Sequence, residues 1–263
     1  FSIAGGIVFR DFRSIISGPD NALWVIEGCG AGGPSQIGRF TLDGALTEYS
    51  LPTSDNCPQS ITVGPDNAIW FTQAVGNKIG RISSDGVLTE YSLPENSSPR
   101  GIISGPDGNL WFTESGSSKI GRISTNGELT EFSTPTDSAH PQGIIAGPDG
   151  ALWFAETVIG QIGRITTDGN ITEYKLFDNL IEYYPRSFAI GSDQNIWVIN
   201  SNDNKIERIN LPSPTPTNSP TPTVDPGVTP SVSPTEQVMP TISVEPTGVT
   251  PTLEATPSVE VTP

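Results

Sequence analysis

Gly105-Pro106-Asp107-Gly108-Asn109-Leu110-Trp111-Phe112-Thr113-Glu114 decides the fold of this chain. The first four residues are a turn. Pro106 presets φ at the second turn position, Asp107 bonds to nearby backbone, and Gly108 accepts a positive φ. The second half is aromatic and β-branched, which favours a strand. Moving outward, Gly101–Ser104 is a short apolar strand before the turn. Ser115–Ser118 is a loop, Lys119–Ser124 alternates as a third strand, and Thr125-Asn126-Gly127 makes a hairpin turn. Glu128–Ser133 alternates as a fourth strand, and Thr134–Gln142 links onward. No stretch carries helical periodicity.

This unit repeats. The Gly-Pro-Asp…Trp signature starts at Gly18, Gly64, Gly105 and Gly147, and in degraded form at Gly191, at spacings of 46, 41, 42 and 44 residues. Ile-Gly-Arg recurs at 37–39, 79–81, 120–122 and 162–164, becoming Ile206-Glu207-Arg208 in the last copy. Leu/Ile-Thr-Glu-Tyr/Phe recurs at 46–49, 88–91, 129–132 and 171–174. Four short strands per unit with one aromatic signature is the pattern of a β-propeller blade. The expected fold is all-β, with Trp24, Trp70, Trp111, Trp153 and Trp197 packed between neighbouring blades. The turn aspartates 20, 66, 107, 149 and 193 follow from turn chemistry without a metal.

The ends of the repeat region are uneven. Phe1–Gly5 aligns with Phe40–Gly44 and Ile7–Arg10 with a fourth strand, so 1–10 reads as a lone outer strand. The fifth repeat, after Ile206–Ile209, lacks its own outer strand. Two arrangements follow: five blades closed by the N-terminal strand, or the C-terminal part of a larger propeller; the abrupt start and the missing Met favour the second. The propeller is assigned to 1–211. Residues 212–263 hold 13 prolines and 12 threonines with no Lys, Arg or aromatic residue, a composition that favours a disordered, polyproline-like linker.

The formal net charge is −16, of which the tail contributes five negative charges. So acidic a chain lacks the cationic footprint that nucleic acid or anionic lipid requires. No apolar run is long enough to insert in a membrane. An acidic propeller on a Pro/Thr stalk suits an extracellular or cell-surface monomer.

The repeat Gly-Pro-Asp-Gly-Asn-Leu-Trp-Phe-Thr-Glu, Lys-Ile-Gly-Arg-Ile and Leu-Thr-Glu-Phe resembles the streptogramin B lyase (virginiamycin B lyase) family over nearly all of 1–211. The resemblance implies a seven-bladed propeller. It also implies Mg²⁺-assisted eliminative opening of a cyclic depsipeptide, in which a base takes a Cα proton while the ester oxygen leaves.

Antiparallel topology puts the loop after each second strand and the links between blades at one end. These loops are longer and more varied, so a small-molecule or peptide ligand is expected there. His140, the chain's one histidine, with Glu156 and Glu114 forms the candidate acid/base set, and Glu156 is the candidate metal ligand. Arg100, Gln142 and Arg186 are candidates for substrate binding. The bland alternatives are a solvated His140 and salt-bridged arginines. The family pattern has Pro-His-Gly-Ile segments, whereas Gln59, Arg100, Gln142 and Arg186 follow the prolines here. Cys29 and Cys57 fall at the same end of adjacent blades, as a disulfide or as two separate thiols. Two functions stand side by side: an eliminating lyase, and a non-catalytic binding or display module. A lactonase-like calcium propeller lacks a convincing ligand set.

Overall fold

The computed structural model describes residues 12–28, 35–52, 57–158, 160–175, 185–200, 205–209 and 244–246. These form five antiparallel sheets of four strands each, and no helix. The first sheet is β1 (Phe12–Ser17), β2 (Leu23–Glu27), β3 (Gln36–Phe40) and β4 (Leu46–Ser50). The second is β5 (Pro58–Val63), β6 (Ile69–Gln73), β7 (Lys78–Ile82) and β8 (Leu88–Ser92). The third is β9 (Pro99–Ser104), β10 (Leu110–Glu114), β11 (Lys119–Ile123) and β12 (Leu129–Ser133). The fourth is β13 (Pro141–Ala146), β14 (Leu152–Glu156), β15 (Gln161–Ile165) and β16 (Ile171–Lys175). The fifth is β17 (Pro185–Ile190), β18 (Ile196–Asn200), β19 (Lys205–Ile209) and β20 (Val244–Pro246).

β20 departs from the expectation that the fifth repeat stops at three strands. Val244–Pro246 pairs with Ile209–Glu207, so the completing strand comes from the Pro/Thr segment and not from residues 1–10. The backbone groups of β19 take a partner there because an open edge leaves them unpaired. The lone strand expected at 1–10 lies outside the described residues, as does the rest of the tail.

A shared cluster explains the repeat signatures. Each turn aspartate accepts a hydrogen bond from the indole N–H four residues on: Asp20 from Trp24 at 3.1 Å, Asp66 from Trp70 at 2.9 Å, Asp107 from Trp111 at 3.0 Å, Asp149 from Trp153 at 3.1 Å and Asp193 from Trp197 at 3.3 Å. Its second oxygen pairs with the arginine of the third strand, at 2.8 Å for Arg81–Asp66 and 2.7 Å for Arg164–Asp149. The fourth-strand aromatic stacks on the indole at 5.4–5.5 Å in the first four sheets. Those arginines, indoles and rings bind the four strands of a blade together, and the carboxylate is fully used by them. Gly64 is required because a Cβ there would sit 2.4 Å from the Trp70 ring.

The tryptophans pack between blades, as their repetition implied. Trp70 and Ile79 of the second sheet meet Ile102, Leu110 and Phe112 of the third. Trp111 and Ile120 meet Leu152 and Phe154 of the fourth, and Trp153 and Ile162 meet Ile196 and Val198 of the fifth. Each buried indole stabilises by roughly 4–6 kcal/mol of transfer free energy, as an upper bound. The end sheets differ. Ile162 is fully buried, but its counterpart Ile206 is 59% exposed, and Ile15 of β1 is 62% exposed.

Candidate functional site

The inner strands β1, β5, β9, β13 and β17 line a common cavity of about 380 Å³. Arg13, Gln59, Arg100 and Gln142 face it, with Ile144 and Phe188 supplying apolar wall. A β-bulge sets these directions. In every blade the pairing of first and second strands slips by one residue just after its first pair, for example between Pro99 and Ile102 against Glu114 and Phe112. The extra residue turns Gln59, Arg100 and Gln142, each following a proline, toward the cavity, a common use of bulges beside sites.

Two buried threonines hold the bulges. Thr72 Oγ1 accepts the Ser60 N–H at 3.1 Å and donates to the Arg100 carbonyl of the next blade at 2.6 Å. Thr113 repeats this, accepting from Gly101 at 3.0 Å and donating to the Gln142 carbonyl at 2.6 Å. Arg100 and Gln142 are thus held from both sides. The fourth blade has Ala155 at this position, so it lacks the tie.

At the cavity, Arg13 Nη1 and Arg100 Nη1 both donate to Gln59 Oε1, at 3.0 and 3.2 Å. Burial and the neighbouring Arg13 charge lower the pKa of Arg100. Its Nε is buried without an acceptor. Gln142 Nε2 lies 3.4 Å from Ser115 Oγ. Arg186 occupies the same bulge position in β17, but its side chain lies outside the described residues. Arg13 was not picked out from sequence because Phe12 stands where the other repeats have proline; the spacing Arg-Ser-Ile ahead of the turn was the available signal.

Glu114 and Glu156 sit elsewhere. Each is fully buried and points across the third strand to the glutamate of the fourth strand of its own blade, Glu131 or Glu173. Burial and the facing carboxylate push Glu114 up to about 7 and Glu156 up to about 9. The Ser97 and Ser117 hydroxyls hydrogen-bond Glu114 and hold it lower than Glu156, with Ser117 Oγ donating to Oε2 at 3.0 Å. Lys119 pairs with Glu131 at 3.2 Å, and Lys78 with Glu90 at 2.6 Å, but the fourth blade has Gln161 there and no cation. Neither oxygen of Glu156 accepts a hydrogen bond from the described residues, so nothing there favours its charged form.

His140 is half-buried and has a φ of +49°, the same left-handed seat that Cys57 and Ser98 occupy before their prolines. Its carbonyl accepts from Thr157 Oγ1 at 3.0 Å. Its neighbour Pro141 pairs in register with Glu156, so the backbones meet at one end of the blade. Among the described residues no three His, Cys, Asp or Glu groups converge as metal ligands. Glu156 is fully buried inside its blade, away from the several waters that Mg²⁺ keeps. Cys57 is disulfide-bonded, while Cys29 lies outside the described residues.

Tryptophan-locked four-stranded blades around a bulged, polar cavity define a β-propeller. The sequence profile of the virginiamycin B lyase family matches residues 10–226, and the chain belongs to that family. It is similar to the virginiamycin B lyase of Staphylococcus aureus, at 37% identity over 78% of this chain and 71% of that one, with a TM-score of 0.71. A catalytically inactive histidine-to-alanine variant of the Staphylococcus aureus lyase, solved with quinupristin, matches at 36% identity over 77% and 68%, with a TM-score of 0.71. A streptogramin B lyase matches at 42% identity over 74% and 63%, with a TM-score of 0.67. The chain therefore spans 63–71% of the length of these lyases. No curated protein matches it significantly.

Proposed function

We propose that the axial cavity takes a cyclic depsipeptide of the streptogramin B type and that the chain is the ligand-holding part of an eliminating lyase. The observation that carries this reading is the aimed ring of polar side chains in a cavity of ligand size, on a scaffold 37% identical to the Staphylococcus aureus lyase. A base removes the Cα proton, the Cβ–O bond breaks, and a Cα=Cβ double bond forms. The ester oxygen departs with its acyl group as a carboxylate. His140, two residues before the cavity-lining Gln142, is the candidate base. Arg100 faces the departing carboxylate, with Gln142 beside it. Glu156 keeps its proton inside its blade, and both it and Glu114 support the scaffold. Mg²⁺, when bound, would neutralise the leaving carboxylate; the described residues gather no ligand set that fits it, so that charge falls to Arg100.

The reading is tested by incubating the chain with quinupristin, with and without Mg²⁺, and weighing the product. Elimination leaves the mass unchanged, whereas hydrolysis adds one water. His140→Ala is expected to lower turnover at least about tenfold. Unchanged turnover in that variant removes the assignment of His140, and a product one water heavier removes elimination. The second reading, a surface binding module, is favoured by the absence of histidine at positions 59, 100 and 142. Saturable binding of quinupristin without turnover supports it.

A further inference from the structure

We infer that the axial cavity is a receptor for an organic carboxylate, held by the Arg100 guanidinium with Arg13 beside it across Gln59. This deepens the ligand-site reading above and rests on the cavity being that site, but not on elimination occurring there.

The arginines of the third strands set the contrast. Arg39, Arg81, Arg122, Arg164 and Arg208 each face a turn aspartate within 4.0 Å. Arg100 faces none among the described residues. Its side chain donates instead to a neutral amide oxygen, which it shares with a second guanidinium. Two like charges converging on one oxygen repel each other. Arg100 also carries a buried Nε–H with no acceptor, a donor whose desolvation is uncompensated until an oxygen arrives.

The remaining walls say what kind of anion fits. Nη1 is engaged by Gln59, which leaves the Nε edge of the guanidinium, a planar fork that matches two oxygens of a carboxylate. Ile144 and Phe188 are apolar, and Gly101 and Gly143 expose backbone. A cavity of about 380 Å³ is far larger than an inorganic ion. The complement of these walls is an acid with an apolar body. A linearised depsipeptide has this chemistry, because elimination converts its ester into a carboxylate.

The probes are N-acetyl-phenylalanine, its carboxamide, and inorganic phosphate, each titrated calorimetrically into the full chain. The acid is expected to bind at least about tenfold more tightly than the amide and than phosphate, and to weaken as salt rises. Arg100→Ala is expected to lose at least about tenfold in affinity for the acid, and Arg100→Lys several-fold, because a point charge lacks the fork. Arg13→Ala, at an exposed position, tests the pair without disturbing the half-buried one and is expected to weaken binding severalfold. Equal binding of acid and amide, phosphate binding as tight as the acid, or unchanged affinity in folded Arg100→Lys and Arg13→Ala overturns the inference. Carboxylate binding without quinupristin turnover removes the lyase reading and keeps this one. Turnover that survives Arg100→Ala together with loss of acid binding keeps the lyase and removes the role given to Arg100 in it.

Discussion

Replacing Glu156 by Gln should stabilise this protein at neutral and alkaline pH. Glu156 keeps its proton in the folded state up to about pH 9, because burial and the facing Glu173 both oppose its ionisation. In the unfolded chain the same carboxyl ionises near 4.5. Between those values the folded state binds more protons than the unfolded one, so stability falls as pH rises. The slope for one proton is about 1.4 kcal/mol per pH unit. Glu114 falls in the same direction only up to about 7, so the stretch from pH 7 to 9 belongs to Glu156. From pH 7 to pH 8.5 the parent should lose on the order of 2 kcal/mol through this group, and Glu156→Gln should lose almost none of it. At pH 7 the substitution should add on the order of 3 kcal/mol, since the amide N–H₂ replaces the carboxyl O–H that faces Glu173. For a chain of this size that is roughly 6–12 °C in Tm. Urea unfolding followed by tryptophan fluorescence at pH 7.0 and 8.5 measures it. Parallel pH slopes for parent and variant over that interval would refute the buried-carboxyl account.

Gln161→Lys should act on the same pair from the other side. It restores the cation that Lys78 and Lys119 supply in the neighbouring blades, and is expected to flatten the parent's pH slope above 7 in the same assay. Thr113→Val removes an acceptor for Gly101 and a donor to the Gln142 carbonyl in a buried place, and should cost about 1–3 kcal/mol in denaturant unfolding, while Thr113→Ser costs less. Ile162→Ala should cost about 2–5 kcal/mol and Ile206→Ala under about 1 kcal/mol, because the first is fully buried and the second 59% exposed; equal losses in thermal melts would contradict the blade packing. Ending the chain at Leu211 deletes β20 and leaves the β19 edge open, so the truncated form should exchange the amide protons of Glu207–Ile209 faster.

The blades were legible because each local rule in them agrees with the next. Asp107 serves the turn, binds the Trp111 indole and receives Arg122, so one spacing carries strand, turn and interblade core together. Repetition then multiplies the signal. The cavity positions were half legible: Arg100 and Gln142 stood out because they vary where the blades do not. Their aim was not legible, since the bulge after each first strand is a register slip between two strands and leaves no mark in either alone. Glu114 and Glu156 ended β10 and β14 at the expected end of the blade, but the direction of a side chain across a twisted sheet was not contained in its position along the strand.

The sequence alone determined the repeat, the four-stranded blade, the tryptophan core and the family, because these rest on local propensity and on contacts at fixed spacing. Only the tertiary structure decided where charge goes. It drew Arg13 and Arg100 from separate blades onto one amide oxygen, set Glu156 against Glu173 with Gln161 where the neighbouring blades have lysine, and closed the fifth blade with a strand from the Pro/Thr segment. The physical reason is range. Turn and strand preferences act over a few residues, whereas burial and the approach of like charges depend on partners 17 residues apart for Glu156 and Glu173 and 87 for Arg13 and Arg100, whose meeting only the packed blades fix.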